Sequence, residues 1–256
     1  MISEHAIIDK SAIIADGVSI GHGAYIGSEV TIGEGSIIGP YVVIKGNTII
    51  GKNNKIFQFS SIGDDPQDIT YNGEPTKLEI GDFNIIREYC SISRGTAKGV
   101  GITTIGNNNY LMAYTHVGHD CSLANNIIMV NYSGLSGHVT VHDYANIGAY
   151  AAVHQFCHIG TSSFIGRATY ISKDVLPYLM ISGYDAATCG INLVGLRRRG
   201  FAPEKIETIK RAYKIIFRNG LVVAQAVEEL LKIAESGDEL TAMITMLQNS
   251  KRGIVR

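Results

Sequence analysis

From Ile105 to Ile171 the chain reads, in groups of six, IGNNNY LMAYTH VGHDCS LANNII MVNYSG LSGHVT VHDYAN IGAYAA VHQFCH IGTSSF IGRATY I. Every group opens on an aliphatic residue: Ile105, Leu111, Val117, Leu123, Met129, Leu135, Val141, Ile147, Val153, Ile159, Ile165 and Ile171. A period of six matches neither a helix, at about 3.6, nor a single strand, at about 2, so the repeating object is a supersecondary unit. The hexapeptide parallel β-helix has this signature. Six residues form one wall of a triangular prism, the aliphatic residue points to the axis, and three walls close a coil, so residues eighteen apart in sequence stack on one another.

The same beat starts earlier in another phase, with Ile8, Ile14, Ile20, Ile26, Ile32, Ile38, Ile44, Ile50, Ile56 and Ile62. Glycine often follows (Gly21, Gly27, Gly33, Gly39, Gly51, Gly63), as expected where a corner turns tightly and calls for φ > 0. Two places before the isoleucines, Ala6, Ala12, Val18, Ala24 and Val30 are small or β-branched enough for the inside of a corner. Polar excursions interrupt the beat near 64–78 and near 93–103, and the second shifts the phase by one residue before Ile105. A solenoid tolerates insertions at its corners because the stacked core is left intact, and two of them can frame a cleft. With strands about 4.8 Å apart, some eight coils would stand roughly 40 Å tall.

Beyond Ile171 the beat fades, and from about residue 192 helical spacing replaces it. Pro203 and Glu204 suit a helix start, and Ile206, Ile209, Tyr213, Ile216 and Phe217 make one apolar face. Further helices are expected over about 222–235 and 238–250. The expected division is therefore an all-β parallel β-helix over 1–191 and a small α-helical domain over 192–256, which would cover the bare sheet edge of the last coil.

A net charge of -1 over 256 residues argues against a nucleic-acid or membrane-surface protein. No basic segment leads into an apolar run at the N-terminus, and no stretch is long enough to span a bilayer, so neither a signal peptide nor an integral membrane segment is expected. Cys90, Cys121, Cys157 and Cys189 form no CxxC pair and suggest neither a zinc ribbon nor a disulfide framework. A reduced, cytoplasmic protein is the simplest expectation.

Chemistry has a place in His116-Val117-Gly118-His119-Asp120, where an imidazole beside a carboxylate is the pairing of a general base whose tautomer is set. Stacking by eighteen lays His138 on Asp120 and puts Gly118, Ser136 and His154 in one column, so His119, His138 and His154 would gather on one lateral strip. A single solenoid histidine is more often a polar rung without chemistry; three beside a cleft favour a site. Metal is not expected, because His138 with His142 and His154 with His158 are four apart, a spacing that clusters ligands on a helix but not on a flat wall. No GxSxG turn marks a covalent nucleophile. A second signal is basic: Arg197-Arg198-Arg199, then Lys210, Lys214 and Arg218 on one helical stripe with Arg211 alongside. On a nearly neutral chain this suggests docking of an acidic partner or a phosphate.

Together these residues resemble the cytoplasmic UDP-N-acetylglucosamine O-acyltransferases that begin lipid A synthesis. The likeness covers essentially the whole chain: the hexapeptides, Gln67-Asp68, Ile86-Arg87-Glu88, Arg94-Gly95-Thr96, the His116 to Asp120 motif, Ser136-Gly137-His138, His154-Gln155-Phe156-Cys157, the run from Gly195 to Phe201, and Arg252-Gly253-Ile254-Val255-Arg256. Many acyltransferases share the hexapeptide; the histidine motifs in this order, with two excursions and an arginine-rich helical entry, are specific. The resemblance implies a left-handed prism, against the usual right-handed crossover, and a homotrimer with three active sites between neighbouring subunits. It further implies direct transfer of an (R)-3-hydroxyacyl group from acyl carrier protein to the 3-hydroxyl of UDP-N-acetylglucosamine, with no cofactor, metal or covalent intermediate. His119 then matches the general base, Asp120 its orienting partner, and the Gly137 N–H the oxyanion donor. Asp68, His116, His138, His154 and Gln155 match substrate-positioning residues, and Asn192, Arg198 and Arg199 match contacts to the nucleotide or the carrier.

Three positions depart from the family pattern. Thr70 stands where a lysine helps hold substrate, and Val194 where some members carry glutamate near the nucleotide. Arg167 follows Gly166 where a glycine leaves room for the end of the acyl chain, which predicts a shorter chain here. Thr70 and Val194 leave open a hexapeptide N-acyltransferase acting on a nucleotide-linked amino sugar, or a 3-amino acceptor within the same family. A non-catalytic trimeric binding solenoid is the third reading.

Overall fold

A computed structural model describes residues 1–234 and 238–256. Among the described residues the chain winds into a left-handed parallel β-helix whose walls are sheets of nine, eight and ten strands, followed by four helices. The register follows the count of eighteen: Val117 pairs with Leu135, and Leu135 with Val153. All twelve aliphatic residues of the 105–171 run are at most 2% exposed, so the beat is the core. Ile8 and Ile14, at the open N-terminal end, are only half-buried. Inside the prism, Asn54, Asn84 and Asn109 form a ladder in which each side-chain oxygen accepts the N–H of the next coil, at 2.9 Å from Asn84 and Asn109 and 2.8 Å from Ile127. Those amides are buried with partners, which removes the cost of burying them.

The excursions are slightly shorter than expected, covering 65–76 and 94–101, because Ser61–Asp64, Lys77–Ile80, Ser91–Ser93 and Ile102–Ile105 are strands. Across the first, Ile50 faces Ile80; across the second, Ile80 faces Ile105. Both insertions thus leave the aliphatic column unbroken.

The corner glycines do a different job from the one expected. Of the six that follow isoleucine, only Gly63 has positive φ. The left-handed residue comes two places later, at Gly23, Glu29, Gly35, Tyr41 and Asn53. What selects glycine is the neighbouring coil: a Cβ on Gly33 would stand 2.6 Å from the Gly51 carbonyl. The left-handed position on the edge between the ten- and nine-stranded sheets holds an exposed stack unmarked by the hexapeptide beat, Tyr41, Phe59, Tyr89, Tyr114, Tyr132 and Tyr150, with successive rings 4.8 to 5.5 Å apart.

Two C-terminal elements go beyond the expected helices. Leu179–Ser182 stays in the ten-stranded sheet but pairs antiparallel with Ala187–Ile191, and this hairpin ends the winding. A short helix, α1 (Leu193–Arg198), is capped by Asn192, whose Oδ1 accepts the Gly195 N–H at 3.0 Å. Then come α2 (Pro203–Phe217), α3 (Val223–Ile233) and α4 (Asp238–Asn249). The expected second helix runs to 235, and residue 235 lies outside the described residues. The buried face of α2 is Ile206, Ile209, Ala212, Tyr213 and Ile216. Among the described residues no helix is long and apolar enough to cross a membrane.

Candidate active site

Two imidazoles and a carboxylate meet on the edge between the nine- and eight-stranded sheets. The strand His116–Val117 feeds the corner Gly118-His119-Asp120, and Gly134–Leu135 feeds the next corner, Ser136-Gly137-His138, directly upon it. The His138 N–H donates to the His119 carbonyl at 2.9 Å. Gly137 leaves room for the His119 ring: a Cβ there would lie 2.5 Å from Nε2. His119 Nδ1 is 2.9 Å from Asp120 Oδ2, and His138 Nε2 is 3.8 Å from the same oxygen. The two rings meet edge to face with centroids 5.1 Å apart, and Phe156 stacks on His138 at 4.5 Å.

Burial pushes the Asp120 carboxyl up, yet hydrogen bonds from Thr96 and His119 outweigh it and hold the group below its ordinary value. An ionised Asp120 keeps the His119 proton on Nδ1 and leaves the Nε2 lone pair on the Gly137 side. That is the tautomer a general base requires.

A cavity of about 380 Å³ opens there, lined among others by Gln67, His116, His119, Ser136, Gly137 and Gln155. Among the described residues the Gly137 N–H has no backbone acceptor, which leaves it available in the cavity wall. His116 Nδ1 lies 3.0 Å from Ser91 Oγ. From the first excursion, Asp68 accepts the N–H and the hydroxyl of Thr70, both at 2.8 Å, and these bonds lower its pKa, with smaller contributions from His119 and Lys98. Thr70 therefore organises the Asp68 carboxylate. Arg94 ties the two excursions together, donating to the Gly63 carbonyl at 2.8 Å and to the Tyr71 hydroxyl at 3.0 Å and pairing with Asp65.

The expected gathering of three histidines is met by two. His154 sits at the turn position of Gly118 and Ser136, one place before His119, Gly137 and Gln155, so its side chain leaves the corner elsewhere. Its Nδ1 is 3.1 Å from the Gln155 carbonyl and its ring meets Tyr170 edge-on at 6.4 Å. Asn192, Arg198 and Arg199 line a second cavity of about 490 Å³ on the next edge, between the eight- and ten-stranded sheets, with Tyr144, Phe164 and Val194. There the Arg199 guanidinium lies 3.5 Å over the Tyr144 ring and contacts Ser162 Oγ. Arg167 is exposed on the third edge. On the basic stripe, Lys210 pairs with Glu207 at 2.5 Å.

His119, Asp120 and His138 place possible metal-ligand atoms within 4.8 Å of one another. Both Asp120 oxygens already accept N–H or O–H donors, so a cation would have to compete with Thr96, Val100, Gly101 or His119.

Burial, the largest cause in each case, lowers the pKa of His116, His138 and His142. Unfolded, these side chains titrate near about 6.5. Between the lowered folded values and about 6.5 the unfolded chain binds more protons, so stability rises with pH across that window. The melting temperature is expected to fall on going from about pH 7 to about pH 5, and His142→Gln to weaken that dependence. Thermal unfolding followed at both pH values checks this; equal melting temperatures would refute it.

A family model described as Udp N-acetylglucosamine O-acyltransferase, Domain 2, matches residues 174–255. Two curated relatives, each named "Acyl-[acyl-carrier-protein]--UDP-N-acetylglucosamine O-acyltransferase", from Alkalilimnicola ehrlichii and Pseudomonas putida, are 48% identical over 255 residues, covering 100% of this chain and 99% of the relative. Among solved structures, LpxA from Acinetobacter baumannii has a TM-score of 0.98 at 46% identity and covers 100% of this chain and 99% of its own. Francisella novicida UDP-N-acetylglucosamine acyltransferase has a TM-score of 0.98 at 46% identity, with 100% and 94% covered.

Proposed function

The chain belongs to the UDP-N-acetylglucosamine O-acyltransferases, and from that membership we infer that it moves an acyl chain from acyl carrier protein to UDP-N-acetylglucosamine, the first step of lipid A biosynthesis. The transferred group in this reading is an (R)-3-hydroxyacyl chain and the acceptor is the 3-hydroxyl. The observation that carries it is the ordered His119–Asp120 pair, with Nδ1 held at 2.9 Å and Nε2 beside Gly137. His119 Nε2 takes the hydroxyl proton as the sugar oxygen attacks the thioester carbonyl. The oxyanion forms against the Gly137 N–H, and ionised Asp120 stabilises the imidazolium. Collapse breaks the carbon–sulfur bond, and the departing thiolate takes the proton from Nε2.

Within one chain the His119 cavity and the Asn192, Arg198 and Arg199 cavity lie on different edges of the prism. A nucleotide sugar that engages both groups therefore draws them from two copies, which supports a homotrimer with sites between subunits. Residues 1–191 would supply the chemistry, and residues 192–256 the basic face for the acidic carrier, in the cytoplasm.

Mass spectrometry of the product formed from UDP-N-acetylglucosamine and a mixture of (R)-3-hydroxyacyl carrier proteins tests the reading. A singly O-acylated nucleotide sugar is expected; acylation only of a 3-amino analogue, or only from coenzyme A donors, would overturn it. Arg167 predicts that medium chains are preferred, and Arg167→Gly is expected to move the preference toward longer chains by about tenfold. Comparable turnover of long and medium chains by the parent enzyme would count against that role.

A further inference from the structure

We propose that Thr96, with the turn through Gly99 and Gly101, is the positioning residue that sets the His119–Asp120 pair, so the second excursion is part of the catalytic apparatus. The proposal rests on His119 being the base, as inferred above. The Thr96 N–H lies 3.2 and 3.1 Å from the two Asp120 oxygens, and Thr96 Oγ1 lies 2.7 Å from Oδ2. The N–H groups of Val100 and Gly101 reach Oδ1 at 3.0 and 3.1 Å. Oδ2 is also the oxygen that meets His119 Nδ1.

The hydroxyl has little freedom. Thr96 Oγ1 accepts the Gly99 N–H at 3.1 Å, so its one proton is directed at Asp120. Thr96 is 3% exposed, and a Cβ on Gly99 would stand 2.4 Å from the Asp120 carboxylate, so the turn closes on the acid with no space between. From below, Thr103 Oγ1 accepts the Asp120 N–H at 2.8 Å and fixes the backbone. A carboxylate held by this many donors stays ionised and fixed in direction, and it accepts from only one tautomer of its histidine.

The other ionisable groups around the pair are His138, 3.8 Å from Oδ2, His116 in the cavity wall, and Asp68 and Lys98 on the two excursions; the adjacent Cys121 thiol is buried, with its pKa pushed up to about 12. Among the described residues none of these four donates to the carboxylate within hydrogen-bond distance, so none replaces Thr96.

The test compares Thr96→Val, Thr96→Ser and Thr96→Ala with His119→Ala in the full chain, through kcat, KM and the pH profile of kcat/KM. Thr96→Val is expected to lower kcat roughly ten- to hundredfold with KM for UDP-N-acetylglucosamine within about twofold. It is also expected to move the acid limb of the profile to higher pH, because an Asp120 that has lost a donor takes up its proton sooner. Thr96→Ser keeps the hydroxyl and is expected to stay near the parent. Parental kcat in Thr96→Val, or an equal loss in the serine and valine variants with an unmoved pH limb, would overturn the proposal. If Thr96→Val does not fold, serine against alanine decides the same question. The ¹⁵N shifts of His119 read the tautomer without turnover: Nδ1–H in the parent, and a mixture once the hydroxyl is gone. Activity surviving in His119→Ala would mean that the base itself is misassigned; loss there with a parental Thr96→Val would sink only the role of Thr96.

Discussion

His119→Ala is expected to lower kcat by about three orders of magnitude while leaving KM for UDP-N-acetylglucosamine within a few-fold. The reason lies in what surrounds the ring. Its Nδ1 is committed to Asp120, its Nε2 edge stands where a Gly137 side chain would be, and the nearest other imidazole, His138, sits 3.8 Å from the acid on a different turn. Among the described residues no second imidazole lies within hydrogen-bond distance of Asp120, so the loss should approach the full value of general-base catalysis. The cavity left behind is the size and shape of the missing ring, so free imidazole is expected to restore part of the activity. His138→Ala should cost less, because burial keeps that ring neutral and its distance from Oδ2 is too long for a hydrogen bond. Steady-state rates of the two variants, with and without imidazole, decide the matter; a His119→Ala enzyme as fast as the parent would mean that His119 is not the base.

How much of this is legible in the sequence depends on whether a residue lies on the beat. Each wall centres on one inward position that takes an aliphatic side chain, so counting by six finds the aliphatic column of the core and counting by eighteen finds that His138 lies over Asp120. Counting places His154 over Gly118 and Ser136 but says nothing of where a side chain at that position points, which is why His154 is expected on the strip of His119 yet meets Tyr170. It is equally blind inside the excursions. Gly95, Thr96 and Gly99 stand in a visible motif, but nothing in their spacing says that the chain folds back so that three backbone N–H groups point at one carboxylate. The hairpin over Leu179–Ile191 carries neither period, and the hand of the prism has no periodic signature at all; family resemblance supplied it.

Gly137→Ala is expected to leave the fold in place and remove about a hundredfold of kcat. Gly137 has no positive φ, so alanine strains no backbone there. The three atoms that an added methyl would approach most closely all belong to the His119 ring, Cε1 at 2.4 Å, Nε2 at 2.5 Å and Nδ1 at 3.0 Å. A ring can swing, and relief of that contact takes a shift of about 1 Å, a displacement that by itself can cost two orders of magnitude in a positioned reaction. The N–H of residue 137 is retained, so the loss reports the position of the base and not the missing oxyanion donor. Gly118 provides the control on the facing corner. A Cβ there would press on backbone, 2.8 Å from the Leu135 carbonyl oxygen and 2.9 Å from the Gly137 nitrogen, and backbone in a stacked coil has nowhere to go. Gly118→Ala is therefore expected to lower the melting temperature clearly, whereas Gly137→Ala keeps it within a few degrees of the parent and loses the rate. The reverse pattern, a stable and active Gly137→Ala enzyme, would mean that His119 does not work from the place where it is seen.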